Sequence, residues 1–579
     1  MDDSERLESV IREVEGLGLF QAPRRLNGSE EGGAAALEGE ITIDERKVTI
    51  RLVLDPPFPL RLPRFFLRPW DALGIIPHVD QRGFICFADP EGLVLNRRQP
   101  VRVVQEAYER TLQVLTDGVK GVNHADFTDE FEVYWAQLTG GLKALSFLEP
   151  VDEVSRVIVA SDKEGNLYVA RDEVEISAFH NGSGAGKPLT SENALYLPLQ
   201  KGTLIVPPRP DGPFWTADDV RRILLPALSA ASKARLRKLT KSRRRVPKYL
   251  IVRLIRPSGG AILFGLHYGR TTTIHPLLEG GRAADLVPVS LVRLDRGFLI
   301  QRGGGQKDLV GKRVLLVGCG AVGGHLAFEL VKAGMLNLTL IDPDTLMPEN
   351  SYRHVLGREY WSNSKAASLK REIEAQLPYA RITAVTDHIE NALASSIVDL
   401  SRYDLAIMAT GNPTVELDMN ARIHAQEAGP AAIFTWLEPL GIGGHALLTR
   451  RGCNAGCLEC LYTPPDGDEE MLVNRSSFAA PGQSFARALS GCASLYTPYG
   501  SIDAVRTAAL AARLAVDALT GKEQGNPLHS WKGDASEFTQ EGFHLSNRYS
   551  ASDAELRRHR YSYQSPRCRI CGEGIAEAG

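Results

Sequence analysis

Two groups of residues have types and spacing that could do chemistry. Cys86 ends the run Gly-Phe-Ile-Cys that begins at Gly83, on a short segment after a proline-bounded strand. Far downstream, Gly318, Gly320 and Gly323 form a Gly-x-Gly-x-x-Gly pattern. A thiol can carry an acyl group as a thioester, and a glycine-rich loop can bind phosphate. One chain with both features predicts carboxylate activation at a nucleotide site, followed by thioester transfer.

The glycine pattern has the context that makes it meaningful. It follows a predicted buried strand, Arg313–Val317, and opens a predicted helix, Gly323–Ala333. Glycines let the backbone approach phosphate closely, and a helix N-terminus presents free amides. Asp342 ends the next predicted strand, about 20 residues on, where a carboxylate can accept ribose hydroxyls. These features alone predict NAD as the default ligand.

The segment that follows favours a different nucleotide. Its chemistry-bearing residues are Asp342, Asp344, Asn350, Arg353 and Lys365. Their order resembles that of the ThiF/MoeB-type adenylating domain shared with ubiquitin-activating enzymes, over about residues 308–520. The resemblance implies ATP as the nucleotide, bound by the three glycines and these residues, with Asp342 on the ribose. Arg353 and Lys365 are then the cations that offset charge on the phosphoryl oxygens.

The family usually has an Asp-Asn pair after the fourth strand, and that Asp helps to hold magnesium (Mg²⁺). This chain has Gly411-Asn412 there. The substitution leaves Asp344, Asp404 or ATP itself to hold the metal.

Two Cys-x-x-Cys pairs predict a metal site. They are Cys457 with Cys460, and Cys568 with Cys571. Four thiolates can close a tetrahedral cage for zinc (Zn²⁺), which would attach the C-terminal tail to the nucleotide domain. Redox chemistry and idle thiols are the alternatives, and Cys453 could be a spare ligand.

Cys492 lies in a loop of small residues before a predicted helix, Ile502–Leu519. Ubiquitin-activating-type enzymes carry their thioester cysteine in this general place, so the resemblance makes Cys492 the first acyl-accepting thiol. Cys453 is the second candidate, and a merely buried Cys492 is the alternative.

The N-terminal region resembles the core of ubiquitin-conjugating enzymes, in which a His-Pro-Asn tripeptide precedes Gly-x-Ile-Cys. Here Pro77-His78-Val79 stands for that tripeptide, so the Asn that stabilises the oxyanion is missing. The resemblance makes Cys86 the second acyl-carrying thiol. We interpret His78 as a structural hydrogen-bonding residue rather than a base.

The order of these parts resembles bacterial fused conjugating–activating proteins of CBASS antiviral operons, which activate the C-terminal glycine of a cyclic-nucleotide synthase (CD-NTase type). We therefore predict a ubiquitin-conjugating-like α+β domain (1–150), a mixed α/β middle domain (151–305) and a doubly wound Rossmann-like adenylating domain with a zinc-bound tail (306–579). The predicted activity is adenylation of a separate protein's C-terminal carboxylate, capture by Cys492, transfer to Cys86 and ligation to an amine. The alternatives are another bacterial ubiquitin-like conjugation system, a sulfur-transfer adenylating enzyme, and a regulatory binding protein with an inactive pocket.

Bulk composition narrows the remaining choices. The 579 residues exceed what one core can hold, and the net charge of −3 favours neither nucleic acid nor a membrane surface. No run of 18 apolar residues and no apolar leader is present, which predicts a cytoplasmic protein. Eight cysteines in such a protein indicate metal binding or catalysis rather than disulfides. The resemblance further implies a homodimer.

Overall fold

The computed structural model describes residues 3–26, 32–138, 140–179, 189–209, 212–241, 246–452, 456–464, 472–488 and 495–572. The chain divides into two compact units. The first consists of Met1–Glu173 and Lys187–Leu294, and the second of Val174–Gly186 and Asp295–Gly579. Within the described ranges, no helix is long and apolar enough to cross a membrane.

The first unit begins with a four-stranded antiparallel sheet and its helices. The elements are α1 (Asp3–Gly16), β1 (Gln21–Leu26), β2 (Ala35–Ile43), β3 (Arg46–Leu54), β4 (Arg64–Arg68), α2 (Pro100–Lys120), α3 (Asp126–Asp129) and α4 (Phe131–Ala136). The strands pair in sequence order, because antiparallel neighbours need only short connections. Apolar residues of α1 and α2, among them Ile11 and Leu115, pack with the strands in one core.

The segment after β4 folds back along that strand and presents Cys86. Ile85 donates a backbone hydrogen bond to the Phe65 carbonyl (2.9 Å), and Cys86 donates one to the His78 carbonyl (2.8 Å). Gly83 allows this close approach: its φ is +79°, and a Cβ there would lie 2.2 Å from the Leu67 carbonyl oxygen. A residue with a side chain could not occupy that position without moving the segment.

A closed seven-stranded barrel completes the first unit. Its elements are β5 (Leu142–Ser146), β6 (Ser155–Ser161), β7 (Leu167–Ala170), β8 (Thr190–Pro198), α6 (Ala217–Leu224), α7 (Ala230–Leu239), β9 (Tyr249–Ile255), β10 (Ala261–Thr271) and β11 (Ala283–Arg293); α5 (Glu173–Phe179) lies between β7 and β8. The strand order is β10-β11-β5-β7-β6-β8-β9. The first barrel strand begins before the domain boundary predicted at residue 150, and the three domain ranges stay a prediction.

The barrel wall packs directly against α4. Phe131 and Trp135 are fully buried, with ring centroids 4.7 and 4.8 Å from that of Phe264 on β10. The Trp135 indole also donates to the Val289 carbonyl of β11, at 3.2 Å. The helix next to the Cys86 domain is therefore anchored in the barrel.

The second unit is a doubly wound sheet of order β14-β13-β12-β15-β16-β17-β20. Its elements are α8 (Arg296–Arg302), β12 (Arg313–Val317), α9 (Ala321–Lys332), β13 (Asn337–Ile341), α10 (Lys365–Gln376), β14 (Arg381–Val385), α11 (Ile389–Ala394), β15 (Leu405–Met408), α12 (Pro413–Ala425), β16 (Ala431–Leu437), β17 (Gly443–Thr449), β18 (Arg487–Ala488), β19 (Leu495–Tyr496), α13 (Ser501–Leu519), β20 (Leu528–Lys532), α14 (Ser536–Gln540), α15 (Asn547–Ser550) and α16 (Asp553–Arg558). Strands β12 to β16 are parallel, and β17 and β20 are antiparallel. Alternate residues of β12 belong to two cores on opposite faces of the sheet. The carboxyl ends of β12, β13 and β15 therefore share one edge, where doubly wound sheets bind ligands.

Candidate functional site

The glycine loop joins the end of β12 to the start of α9, and two of its glycines are required by packing. Gly318 has φ +92°, and a Cβ there would lie 2.5 Å from the Ala409 carbonyl oxygen. A Cβ on Gly323 would lie 1.9 Å from the Gly318 carbonyl oxygen. Side chains at these positions would collide with backbone, so the loop needs glycine whether or not a ligand binds.

Gly320 is different, because the fold does not require it. Its φ is −76°, which any residue adopts, and a Cβ there would meet no described atom within 4 Å. Gly320 is the N-cap of α9, and no described side chain caps that helix. Free amides and the positive end of the helix dipole therefore border an open space that suits phosphate oxygens.

Asp342, at the end of β13, fixes the shape of this loop. One carboxylate oxygen accepts the backbone N–H of Cys319 at 2.6 Å, and the other accepts that of Asp344 at 2.8 Å. Burial raises the pKa of Asp342, and the Cys319 amide opposes that shift. The carboxylate thus holds the loop, while its predicted contact with a ribose stays a prediction.

The two predicted cations contact other groups at this edge. Lys365 Nζ lies 2.8 Å from the Asp344 carboxylate, and its side chain is 12% exposed. The Arg353 guanidinium lies over the rings of Tyr496 and Tyr499, 5.9 and 5.2 Å from their centroids. Cation–π contacts of this kind hold an arginine without neutralising it. Arg353 thus keeps its charge available for phosphate, whereas Lys365 is paired with Asp344.

His354 is a second support of the loop, and no sequence motif marks it. Because the Leu356 amide donates to His354 Nδ1 (3.1 Å), the proton is on Nε2, which donates to the Cys319 carbonyl at 2.8 Å. Burial lowers the pKa of His354, in agreement with a neutral ring. Asn350 acts locally, since its side chain accepts the Met347 backbone N–H at 3.0 Å.

A buried carboxylate supports the turn in which Gly411 replaces the expected Asp. Glu416 accepts hydrogen bonds from the backbone N–H and the hydroxyl of Thr410, at 3.2 and 2.8 Å. Burial raises the pKa of Glu416 to about 7, against the opposing effect of Thr410. This acid fixes the turn, but its buried position keeps it from replacing an exposed magnesium ligand.

Asp404 lies at the edge of the sheet opposite the glycine loop, too far away to hold magnesium there. It directly precedes β15, pairs with Lys312 at 3.3 Å and accepts the Arg313 backbone N–H at 2.8 Å. Arg313 begins β12, so Asp404 lies at the amino end of the parallel strands, opposite the glycine loop. Of the two carboxylates considered for the metal, Asp344 is the one at the nucleotide edge.

The two Cys-x-x-Cys pairs come together. Cys457 Sγ lies 3.6 Å from Cys568 Sγ, and Cys460 Sγ lies 3.3 Å from Cys571 Sγ. All four sulfurs lie within 4.8 Å of one another. Tetrahedral zinc, at about 2.3 Å from each thiolate, needs sulfurs about 3.8 Å apart. The Asn420 amide also donates to Cys457 Sγ at 3.5 Å, so the donor set fits a zinc ion.

Cys492 and Cys453, the two candidates for the first acyl-accepting thiol, lie outside the described residues. On either side of the segment with Cys492, the two-residue strands β18 and β19 pair antiparallel, Arg487 opposite Tyr496. Tyr496 is one of the two rings under Arg353.

In the first unit, Cys86 is exposed and His78 lies beside it. His78 Nε2 lies 2.9 Å from the Asp126 carboxylate, and Nδ1 lies 2.9 Å from that of Glu130. Tyr134 accepts the backbone N–H of His78 at 2.9 Å and donates its own hydroxyl to Glu130 at 2.9 Å. An exposed thiol next to an imidazole flanked by two carboxylates can support acyl transfer.

Comparison with known proteins gives matches in both units. Residues 28–140 match the prokaryotic E2 family B, and residues 295–551 match the ThiF family. The chain is thus a fusion of an E2-like domain with a ThiF-type domain, and it is an adenylating and conjugating enzyme. This confirms the predicted recognition at that level, together with the predicted fold class.

Particular relatives agree with this class. The chain is 26% identical to the "ATP-dependent ubiquitin transferase-like protein Cap2" of Pseudomonas aeruginosa, over 85% of this chain and 90% of that protein. It is 30% identical to the molybdopterin-synthase adenylyltransferase of Escherichia coli, over 24% of this chain and 57% of that protein. The crystal structure of E. coli MccB with ATP is 18% identical over 47% of this chain and 69% of that chain, with a TM-score of 0.32.

Proposed function

We propose that the protein uses ATP to activate the C-terminal carboxylate of a partner protein and then ligates that chain end to an amine. The observation that carries the proposal is Gly320, a glycine that the fold does not need, at the uncapped start of α9. The exposed Cys86 in the same chain supports the transfer that follows. The partner we propose is a cyclic-nucleotide synthase (CD-NTase type) in a cytoplasmic CBASS antiviral system.

The first step forms an acyl-adenylate. A carboxylate oxygen of the partner attacks the α-phosphorus of ATP, the bond to the β-phosphate oxygen breaks, and pyrophosphate leaves with the electron pair. The amides at Gly320 bind phosphate oxygens, and Arg353 and Lys365 offset the charge that develops on them. A bound magnesium ion would neutralise phosphate charge. We expect ATP to supply most of its ligands, with Asp344 as the ligand from the protein.

Two thiols then pass the acyl group on. The Cys492 thiolate attacks the acyl carbon and AMP leaves; the Cys86 thiolate next attacks that thioester and the Cys492 thiolate leaves. An amine finally attacks the Cys86 thioester, the C–S bond breaks, and the amine loses its proton to solvent. Each thioester keeps much of the acyl-transfer potential, so only the first step consumes ATP.

The four clustered cysteines would hold zinc. In that role the metal is structural: it would tie Cys568 and Cys571 to Cys457 and Cys460. A homodimer stays a prediction.

Cys86→Ala separates the steps. We expect this variant to retain ATP–pyrophosphate exchange with the partner and a thiol-sensitive adduct on Cys492, but to form no isopeptide conjugates. The assay uses the protein encoded by the neighbouring gene as partner, followed by intact-mass analysis. Unchanged conjugation by the variant would remove the role of Cys86, and absence of exchange in the unaltered protein would remove adenylation. A thiocarboxylate product would instead support sulfur transfer.

A further inference from the structure

His78 is held between two carboxylates that come from a different part of the first unit. Asp126, on α3, accepts a hydrogen bond from His78 Nε2 at 2.9 Å. Glu130, just before α4, lies 2.9 Å from Nδ1 but off the line of a hydrogen bond. The His78 side chain is 21% exposed. The ring is thus fixed on two sides and partly withdrawn from water.

This geometry requires a charged ring. A neutral imidazole has a single N–H, which the hydrogen bond to Asp126 takes, so Nδ1 would place a lone pair 2.9 Å from the Glu130 carboxylate; an imidazolium has a proton on each nitrogen. The Cys86 side chain, then Glu130 and Asp126, raise the pKa of His78 to about 11, although burial lowers it. The contribution of Cys86 belongs to its free thiolate and is lost in the thioester, so in the acylated protein the two carboxylates are what keep His78 protonated, and the ring is not a general base.

The remaining groups around the ring are accounted for. Tyr134 donates to Glu130 and accepts the His78 backbone amide, and its own pKa is raised, mainly by burial. Burial is the largest single influence on Glu130 and raises its pKa, but the adjacent charged His78 ring and the Tyr134 hydroxyl together outweigh it, so the pKa of Glu130 is lowered. Asp129, on α3, also acts on Glu130 through its charge. The two carboxylates carry two negative charges against the single positive charge of the imidazolium. His78 can therefore stabilise negative charge on the Cys86 sulfur only through a short-range hydrogen bond, not through a net positive field.

One N–H of the ring remains for the reaction. Nδ1 has no aligned acceptor in the described part of the chain, and Cys86 is the neighbour with the largest effect on the pKa of the ring. The backbone hydrogen bond from Cys86 to the His78 carbonyl, at 2.8 Å, fixes the two residues relative to each other.

We propose that His78 is a catalytic imidazolium, held charged by Asp126 and Glu130, which donates a hydrogen bond to the charge that develops at Cys86 during acyl transfer. The proposal deepens the proposed function and depends on Cys86 carrying an acyl group. When an amine attacks the thioester, an N–C bond forms, the C–S bond breaks, and the electron pair goes to Sγ. The imidazolium stabilises that thiolate and keeps its proton, while the amine proton goes to solvent.

The test loads Cys86 without ATP. A synthetic glycine-ended peptide thioester exchanges onto Cys86 in the full-length protein, excess thioester is removed, and hydroxylamine then discharges the adduct. Hydroxylamine is largely uncharged at neutral pH. Intact mass, with peptide mapping to residue 86, gives the discharge rate. Adenylation is measured separately by pyrophosphate exchange, so failure there does not affect this assay.

His78→Gln removes the charge and leaves a polar side chain. We expect discharge to slow by about 10²-fold, the lower end of the range for removing one oxyanion donor. His124→Gln is the matched control, because His124 is an exposed histidine of the same region, and its rate should not change. A His78→Gln rate within twofold of the unaltered protein would overturn the proposal, as would failure of Cys86 to accept the acyl group.

The Glu130→Gln variant tests the charge of His78 through the pH dependence of the discharge rate, which would not change if His78 were purely structural. Loss of this carboxylate lowers the pKa of His78, so the ring loses its proton as pH rises through the new value. We expect the discharge rate of this variant to fall with rising pH between about 6 and 9, where the unaltered protein keeps His78 charged. Parallel pH profiles for the two proteins would contradict a charged, catalytic His78, even if one variant folds poorly.

Discussion

Three glycines of one motif have two different reasons to be glycine. Gly318 and Gly323 avoid collisions with backbone atoms, whereas Gly320 leaves space that no described atom fills. At this scale, a glycine required by the fold can be told from one that a ligand requires. The distinction leads to a matched pair of variants.

We expect Gly320→Ala to fold normally and Gly323→Ala to be destabilised. The first change should alter the free energy of unfolding by less than about 1 kcal/mol, yet lower kcat/KM for ATP by about tenfold or more, because a methyl group would occupy the phosphate space. The second would place a Cβ 1.9 Å from the Gly318 carbonyl oxygen and cost about 3 kcal/mol or more.

Chemical denaturation and ATP–pyrophosphate exchange measure the two effects. Equal destabilisation by both substitutions would show that Gly320 also supports the fold. Normal exchange by Gly320→Ala would show that nucleotide phosphate lies elsewhere.

Individual residues differ in how far the sequence predicts them. The glycines, Asp342 and the four cysteines of the cluster are predictable, because short motifs define their spacing. No sequence signal marks Asp126, which lies 48 residues from His78 in sequence and contacts it only after folding. The roles of His354 and Glu416 are unpredictable for a similar reason. Each acts through a buried hydrogen bond to a loop, and the periodicity of apolar residues does not predict such bonds.

Among the elements, the C-terminal tail depends on the cysteine cluster. Cys568 and Cys571 contact Cys457 and Cys460, which flank a short turn after β17. We expect Cys568→Ser to lower the zinc content from one ion per chain and to reduce the unfolding midpoint of the second unit by more than about 5 °C. A chelator should act in the same direction on the unaltered protein.

Elemental analysis and calorimetry check this expectation. Cys86→Ser is the control, since that thiol is exposed and outside the cluster, and it should keep its zinc. A full zinc content in the Cys568→Ser protein would contradict a four-cysteine site.

The parallel sheet was predictable, and the barrel was not. The prediction for β12 matches the observed bounds, since buried parallel strands are short apolar runs between helices. In the middle region, the mainly apolar run 203–206 forms no strand, because Pro207 and Pro208, which lack N–H donors, follow it directly. Closure of the barrel depends on β11 pairing with β5, Val289 with Leu142, and local periodicity cannot reveal a partner so distant in sequence.

At the scale of the whole molecule, the two compact units should respond differently to nucleotide. A non-hydrolysable ATP analogue at about 100 times its Kd should stabilise the second unit by about 2.7 kcal/mol, which raises its unfolding midpoint by about 5 °C. The unfolding midpoint of the first unit should not change. Calorimetry measures the shift, and hydrogen exchange assigns each transition to residues.

Gly320→Ala provides the control for this experiment, because its second unit should no longer respond at the same analogue concentration. An equal shift in both transitions, or a single shared transition, would contradict independent units.

The contact between α4 and the barrel has a consequence for how the protein can be divided. Phe131 and Trp135 bury their rings against Phe264, while Glu130, next to them in the chain, faces His78. A fragment that ends near residue 140 would retain the Cys86 thiol but expose the rings of Phe131 and Trp135 to water. Glu130, next to them in the chain, would then no longer be held in position beside His78. The E2-like part therefore depends on the barrel to hold α4 in place. To produce it as a separate active domain, the exposed aromatic residues of α4 would first have to be replaced by polar ones.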